Sequence, residues 1–229
     1  MKIALFGTNQ LQFSKVYTPD VLADLEKYGE LSPKINKKNI EKYASFLKDC
    51  EIGFATWGMP KFTKEEIRKY MPKLKAVFYA AGTVQYFARP FLEAGVKIFS
   101  AYAANAVPVT EYAFAQITLA VKGYFQAAKF YRSLPVYSLA FANTATGNYK
   151  CKVGLAGLGA IGQAVAERLK SLDAEVYAYD PFVSPERAEE LNVTLTDLET
   201  LFPNAMLSAI ILPIKKSLKR FSITSFSKR

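Results

Sequence analysis

The chain contains no histidine among its 229 residues. Histidine is the side chain whose ordinary pKa lies nearest neutrality, and it is also the commonest metal ligand in proteins. Its absence excludes the serine–histidine and cysteine–histidine nucleophile pairs, together with the usual general base of enzymes that act near neutral pH. We therefore assign no catalytic residue and no metal ligand from the sequence.

Cysteines and long hydrophobic runs are also scarce. Cys50 and Cys151 are the only cysteines, and they lie far apart without metal-ligand spacing, so we expect buried, reduced thiols rather than a structural disulfide. The longest apolar run in the middle of the chain, 117–121, is too short to span a bilayer. The first residues read as a strand and not as a signal peptide. These features predict a cytoplasmic protein without a membrane partner.

Acidic residues are missing from the segment 214–229, although the whole chain carries a net charge of +10. The basic residues of this segment are Lys215, Lys216, Lys219, Arg220, Lys228 and Arg229. No nucleic-acid-binding motif accompanies them, so we expect a solvated basic tail and no nucleic-acid partner. A contact with nucleic acid or with a membrane surface is the alternative.

Strand-like and helix-like segments alternate through the first hundred residues. Short apolar runs predict strands at 3–6, 52–57, 76–80 and 96–100. Helical patterns lie at 19–28, from Thr63 onward, and at 84–94. Such alternation predicts a doubly wound parallel sheet. One long helix over 107–132 follows, and then an aperiodic connection over 134–149.

The most specific pattern is the glycine motif at 157–162, Gly-Leu-Gly-Ala-Ile-Gly. An apolar segment precedes the motif, an amphipathic helical stretch follows it, and a second apolar run ends in Asp180, 18 residues beyond Gly162. This order of strand, glycine turn, helix, strand and acid predicts a dinucleotide-binding unit. The alternatives are a glycine-rich turn in an unrelated α/β domain and the similar loop of a methyltransferase.

The motif residues have distinct physical roles. Gly157 permits the tight turn, Gly159 lets the backbone approach a pyrophosphate, and Gly162 lets the helix pack closely. Free N–H groups at the helix start would hold the phosphate charge. Asp180 would accept hydrogen bonds from the adenosine ribose. Because no arginine or lysine follows before Arg187, the sequence favours NAD over NADP.

A complete α/β unit precedes the glycine motif, and a long helix joins the two. In this order the chain resembles the D-isomer-specific 2-hydroxyacid dehydrogenases over residues 1 to about 213. The motifs that carry the resemblance are Asn-Ala-Val-Pro-Val-Thr-Glu at 105–111, the stretch 153–162, Tyr-Asp-Pro at 179–181 and Leu-Phe-Pro-Asn-Ala at 201–205.

The resemblance implies an α/β fold with two domains. A flavodoxin-like, doubly wound substrate domain would cover 1–104, and an incomplete NAD-binding Rossmann domain would cover 105–213. The basic tail, 214–229, matches no pattern of the family. The long helix of the family implies a homodimer.

The resemblance also implies the ligands, a small 2-hydroxy or 2-keto acid and NAD. The acid would bind the loop Gly82, Thr83 and Val84, with Asn105 close by, although an ordinary strand-to-helix turn is the alternative. The residues expected to bind NAD are Gly157, Gly159, Ala160, Ile161, Gly162, Asp180, Leu212 and Pro213.

The arginine, glutamate and histidine that the family uses in catalysis lie downstream of the strand that ends here at Pro213. None of them can be placed on the segment that follows. We therefore expect an impaired or inactive dehydrogenase, arising from a shifted reading frame or a truncated gene, with a purposeful short form as the alternative. Three functions remain open: a 2-hydroxyacid dehydrogenase, a non-enzymatic NAD-binding module, and a nucleic-acid or membrane binder that acts through the tail.

Overall fold

The computed structural model describes residues 1–131, 139, 147–205 and 207–210. The chain forms two compact units, Met1–Asn105 and the described residues from Ala106 onward. Each unit has its own parallel sheet and its own hydrophobic core. Among the helices that the structure describes, none combines the length and the apolar character needed to cross a membrane.

The first unit is built on a five-stranded parallel sheet. Its strands are β1 (Lys2–Phe6), β2 (Glu30–Ile35), β3 (Cys50–Ala55), β4 (Ala76–Tyr79) and β5 (Lys97–Ser100). Its helices are α1 (Gln10–Val16), α2 (Pro19–Glu26), α3 (Ala44–Leu47), α4 (Lys64–Tyr70) and α5 (Ala88–Glu93). The strand order is β2-β1-β3-β4-β5. This is the flavodoxin-like order, so the predicted fold of this unit is confirmed.

The second unit is built on a parallel sheet with the described order β8-β7-β6-β9. The elements in chain order are α6 (Tyr102–Val121), α7 (Tyr124–Tyr131), β6 (Lys152–Ala156), α8 (Ala160–Leu169), β7 (Glu175–Tyr179), α9 (Pro185–Glu190), β8 (Val193–Leu195), α10 (Leu198–Asn204) and β9 (Leu207–Ile210). The boundary between the two units falls within α6. The strand order is that of half a Rossmann sheet, which confirms the predicted fold class.

The core of the first unit is rich in aromatic rings. Phe6 lies edge-on to Phe62 and Phe91, with ring centroids 5.8 and 6.5 Å away. A Cβ on Gly53 would lie 2.4 Å from the Phe6 ring, so the neighbouring strand leaves space for that ring. On the other face of the sheet, the Tyr17 hydroxyl donates to the Ala55 carbonyl at 2.8 Å.

The core of the second unit joins its sheet to α6 and α8. Ile117 from α6 and Val165 and Leu169 from α8 are buried against the strands. Both cysteines are buried free thiols, Cys50 in the first unit and Cys151 in the second. This placement agrees with the thiol state that the sequence indicated.

Several element boundaries differ from those predicted. The long helix begins at Tyr102 rather than at 107, and it ends before Gly123, which separates α6 from α7. Gly123 has φ of 69°, a left-handed conformation that an α-helix cannot continue through. Helix α5 begins at Ala88 rather than at 84. The predicted connection over 134–149 lies largely outside the described residues.

Strand β2 was not predicted from the sequence. Its segment, Glu30–Ile35, contains Pro33 and alternates poorly between apolar and polar residues. Because β2 lies at the edge of the described sheet and its register with β1 shifts between Leu31 and Lys34, Pro33 can be accommodated there.

Candidate functional site

The glycine motif forms the junction between β6 and α8. Strand β6 ends at Ala156, and helix α8 begins at Ala160 with Gly159 as its N-cap. Gly157 has φ of 106°, which side-chain-bearing residues rarely adopt, and its N–H donates to the Tyr179 carbonyl at 2.8 Å. The turn therefore has the strand-to-helix geometry that a dinucleotide-binding loop requires.

Gly159 and Gly162 differ in what surrounds them. A Cβ on Gly162 would lie 2.0 Å from the Gly157 carbonyl oxygen, so only glycine allows α8 to pack on the turn. A Cβ on Gly159 would meet no atom within 4 Å, so Gly159 faces open space. That open space lies beside the first turn of α8, where Ala160 and Ile161 present N–H groups that have no partner within the helix. The arrangement fits an anionic group held against a helix N-terminus.

Asp180 follows directly after β7 and is connected to the glycine turn. Its Oδ2 accepts a hydrogen bond from the Leu158 N–H at 2.7 Å, and its Oδ1 accepts one from the Phe182 N–H at 2.8 Å. A carboxylate offers about four lone-pair sites, so both oxygens can accept further donors. The structure thus brings Asp180 to the motif residues 157–162, as the spacing predicted, and adds a backbone contact that spacing could not reveal.

Gln163 is a further residue of this site that was not predicted from the sequence. Its Nε2 donates to the Leu158 carbonyl at 2.9 Å, and its Oε1 accepts from the Arg187 Nε at 3.0 Å. Arg187 also pairs with Glu190 at 2.6 Å. The first basic residue after Asp180 is therefore already engaged by two partners. In the sequence, the one indication that Gln163 contacts this turn is its position directly after Gly162.

The candidate substrate residues belong to the first unit. Gly82 lies next to Asn105, since a Cβ on Gly82 would be 3.1 Å from the Asn105 Nδ2 atom. The Ser100 hydroxyl lies within hydrogen-bond distance of the Ala81 and Gly82 carbonyls, at 3.0 and 2.5 Å. Ser100, which the sequence did not single out, thus fixes the loop from the end of β5.

Thr83 and Val84 do not open a helix, contrary to expectation. Helix α5 begins four residues after Val84, with Phe87 at its N-cap position, so the loop does not lead directly into α5. The backbone N–H groups of the loop remain as the feature that could hold a carboxylate. Leu212, Pro213 and the basic tail, 214–229, lie outside the described residues.

Residues 115–223 match the family model described as the NAD-binding domain of D-isomer specific 2-hydroxyacid dehydrogenases. Over this segment, which is just under half of the chain, the sequence is similar to the D-isomer-specific 2-hydroxyacid dehydrogenase family. The resemblance was expected to end at about Pro213, and the match continues for ten residues beyond it. NAD, the predicted cofactor, is confirmed as the ligand of this domain family.

Curated relatives in the family include two D-3-phosphoglycerate dehydrogenases. The protein from Mycobacterium leprae is 32% identical over 149 residues, which cover 65% of this chain and 28% of that protein. The protein from Archaeoglobus fulgidus is 46% identical over 63 residues, which cover 28% of this chain and 12% of that protein. The chain thus spans a third or less of the length of these relatives.

The fold of the family recurs in solved structures. The apo form of D-mandelate dehydrogenase from Rhodotorula graminis superposes with a TM-score of 0.76 and 17% identity, covering 98% of this chain and 69% of that one. At this identity the similarity concerns the fold alone. It agrees with the two α/β units described above.

Proposed function

We propose that the second unit binds NAD at the glycine turn. The pyrophosphate would lie over Gly159, against the first turn of α8, and the adenosine ribose would lie on Asp180. The observation that supports this proposal is the hydrogen bond from the Leu158 N–H to Asp180, because it joins the carboxylate proposed to bind the ribose to the turn proposed to bind the pyrophosphate. Bound NAD would supply the hydride acceptor or donor. The protein side chains described here supply its binding and orientation.

NAD is favoured over NADP on electrostatic grounds. A 2′-phosphate next to Asp180 would be repelled by the carboxylate. Arg187, the first basic residue after Asp180, is paired with Glu190 and hydrogen-bonded to Gln163. Pairing with Glu190 offsets the charge that a 2′-phosphate would need, so NADP should bind more weakly than NAD.

The substrate class follows from the family, as a small 2-hydroxy or 2-keto acid. Its carboxylate would bind the loop Gly82, Thr83 and Val84, close to the Asn105 amide. Ser100 supports this assignment, because its hydroxyl lies within hydrogen-bond distance of the Ala81 and Gly82 carbonyls and so holds the loop in place. A fixed loop of this kind lowers the ordering cost of binding.

Hydride transfer by these 229 residues would have to proceed without histidine. The loss of a general acid/base typically slows a reaction by about 10²- to 10⁴-fold. We therefore propose NAD binding with slow or absent turnover for this polypeptide, which makes a non-enzymatic NAD-binding module the second candidate function.

The test is calorimetric titration of NAD into the wild-type chain, Asp180→Ala and Asp173→Ala. Hydrogen bonds to a charged group contribute about 1.5–3 kcal/mol, so Asp180→Ala should bind NAD at least about tenfold more weakly. Asp173→Ala removes the same charge from an exposed position before β7 and should bind as the wild type does. Equal affinities for all three proteins would refute the proposed site.

The same samples decide between the enzyme and the binding module. NADH formation is followed with a panel of D-2-hydroxy acids at saturating NAD. Binding without turnover supports the module, whereas turnover at ordinary enzyme rates, with a KM for NAD that is about tenfold higher in Asp180→Ala, supports the dehydrogenase.

We also propose that the chain forms a homodimer through α6. Val109 and Tyr112 lie one helical turn apart and are 42% and 68% exposed. Contact with a second copy would remove these neighbouring apolar side chains from water, which supports the proposed dimer.

A further inference from the structure

The first unit has a topological switch point at the carboxyl end of its sheet. From β1 the chain crosses to β2 on one side and then returns to β3 on the other side of β1. In open α/β sheets, ligands bind in the crevice at the carboxyl ends of the strands where the winding reverses. The loops that follow β1, β2 and β3 meet at this crevice.

A cavity of about 720 Å³ lies among these three loops. It is lined by Thr8 after β1, by Asn36, Lys37 and Lys38 after β2, and by Pro60 and Lys61 after β3. The volume falls within the range that small-molecule ligands occupy. The loop after β4, which contains Gly82, contributes no residue to this lining.

The charge of the cavity lining is entirely positive. Lys37, Lys38 and Lys61 contribute three ammonium groups, and no carboxylate belongs to the lining. Glu66 pairs with Lys37 at 3.2 Å, but its carboxylate also accepts the Thr63 N–H at 2.7 Å as part of a helix cap. Within the described ranges, Lys38 and Lys61 form no ion pair. Lys38 in the loop after β2 and Lys61 in the loop after β3 are therefore available to bind an anion.

The loops around the cavity are held in place by their own hydrogen bonds. The Thr8 N–H and hydroxyl both donate to the Gly58 carbonyl at 2.9 Å, which ties the β1 loop to the β3 loop. In the β2 loop, the Asn36 side chain accepts the Lys38 N–H and the Asn39 side chain accepts the Asn36 N–H, both at 2.8 Å. The backbone that carries the lysines is thus ordered before a ligand arrives, which lowers the cost of binding.

From this geometry we propose that the first unit binds a small polyanion carrying phosphate groups in the lysine-lined cavity. Phosphate oxygens would accept from the ammonium groups of Lys38 and Lys61, with Lys37 balanced between the ligand and Glu66. This site differs from the glycine turn of the second unit and does not depend on the proposed NAD function. A monocarboxylate lacks the charge needed to bridge the loops.

The experiment titrates inorganic pyrophosphate into the isotope-labelled full chain and follows the backbone amide resonances, with and without saturating NAD. The expected result is a saturable shift at Thr8, Asn36, Lys38 and Lys61 that persists when NAD is present. Raising the ionic strength should weaken the binding, because exposed charges are screened.

Matched double variants test the role of the lysines. Lys38→Gln with Lys61→Gln should weaken pyrophosphate binding about tenfold, from the loss of two exposed charge contacts. Lys15→Gln with Lys48→Gln removes the same charge from exposed positions outside the cavity lining and should leave the affinity unchanged. Amide spectra confirm that each variant is folded.

Three results would overturn the proposal. In the first, shifts are confined to residues 157–162 and vanish with NAD, which places pyrophosphate at the cofactor loop alone. In the second, both double variants weaken binding equally, which indicates a general charge effect. In the third, no saturable shift occurs at the cavity residues up to millimolar pyrophosphate.

Discussion

Two glycines of the same turn are required for different reasons. At Gly162 the constraint is internal, because a side chain would collide with the Gly157 carbonyl oxygen at 2.0 Å. At Gly159 the protein leaves space empty within 4 Å, so the folded chain alone does not require glycine there. A requirement for glycine at Gly159 would therefore come from a ligand.

Alanine at each position separates stability from binding. We expect Gly162→Ala to lower the free energy of unfolding by about 1–3 kcal/mol, since the colliding atom belongs to the backbone and cannot rotate away. Gly159→Ala should unfold at about the wild-type urea concentration but bind NAD about tenfold more weakly. Urea unfolding and NAD titration of both variants provide the measurements. Wild-type NAD affinity in Gly159→Ala would show that no pyrophosphate lies over this residue.

The residues of the candidate site differ in how well the sequence alone predicts their positions and contacts. Asp180 was predicted, because its distance from Gly162 and its position after an apolar run are both sequence features. Gln163 and Ser100 were not, because their roles depend on which carbonyl groups the fold brings within 3 Å of their side chains. A polar side chain near a loop carries no such information by itself.

At the scale of helices and strands, the sequence predicts best those features that depend on a few neighbouring residues. The predicted start of α4 at Thr63 is confirmed, and the structure has both capping hydrogen bonds between Thr63 and Glu66. The break at Gly123 was missed because apolar side chains continue at helical spacing on both sides of it. Strand β2 was missed because its edge position, which tolerates Pro33, is a property of the sheet and not of the segment.

Helix α6 carries the prediction about self-association. Tyr112→Glu places a charge in the proposed contact and should shift the chain from dimer to monomer in sedimentation velocity, because burial of an unpaired charge is costly. Tyr28→Glu is the matched control, since Tyr28 is similarly exposed, at 72%, but lies outside α6. A wild-type chain that sediments as a monomer at high micromolar concentration would contradict the proposal.

At the scale of the whole molecule, the described groups whose pKa values are shifted titrate far from pH 7. Hydrogen bonding and attraction from Lys73 lower the pKa of Asp49, and Lys75 does the same for Glu51. Burial raises the pKa of Cys50 to about 12 and also raises the pKa of Tyr17. With no histidine present, no side chain with an ordinary pKa near 6.5 is available to titrate.

These shifts predict a broad plateau of stability against pH. Lowered carboxyl pKa values stabilise the fold above the unfolded-state values near 4, and that contribution is lost as pH falls through the folded-state values. Raised thiol and phenol pKa values stabilise the fold below the unfolded-state values of about 9–10, and that contribution is lost as pH rises further. Urea midpoints should therefore vary little between about pH 5 and 8. A change in the midpoint centred near pH 6.5 would disprove this expectation.

The two buried cysteines divide evenly between the two compact units. Cys50 is fully inaccessible and Cys151 is 2% exposed, so an alkylating reagent can reach either sulfur only after the surrounding unit opens. Modification rates for the two peptides, read separately by mass spectrometry, would therefore report the opening of each half of the molecule without any added label. The two thiols are therefore intrinsic probes, each of which reports how often one core opens to solvent.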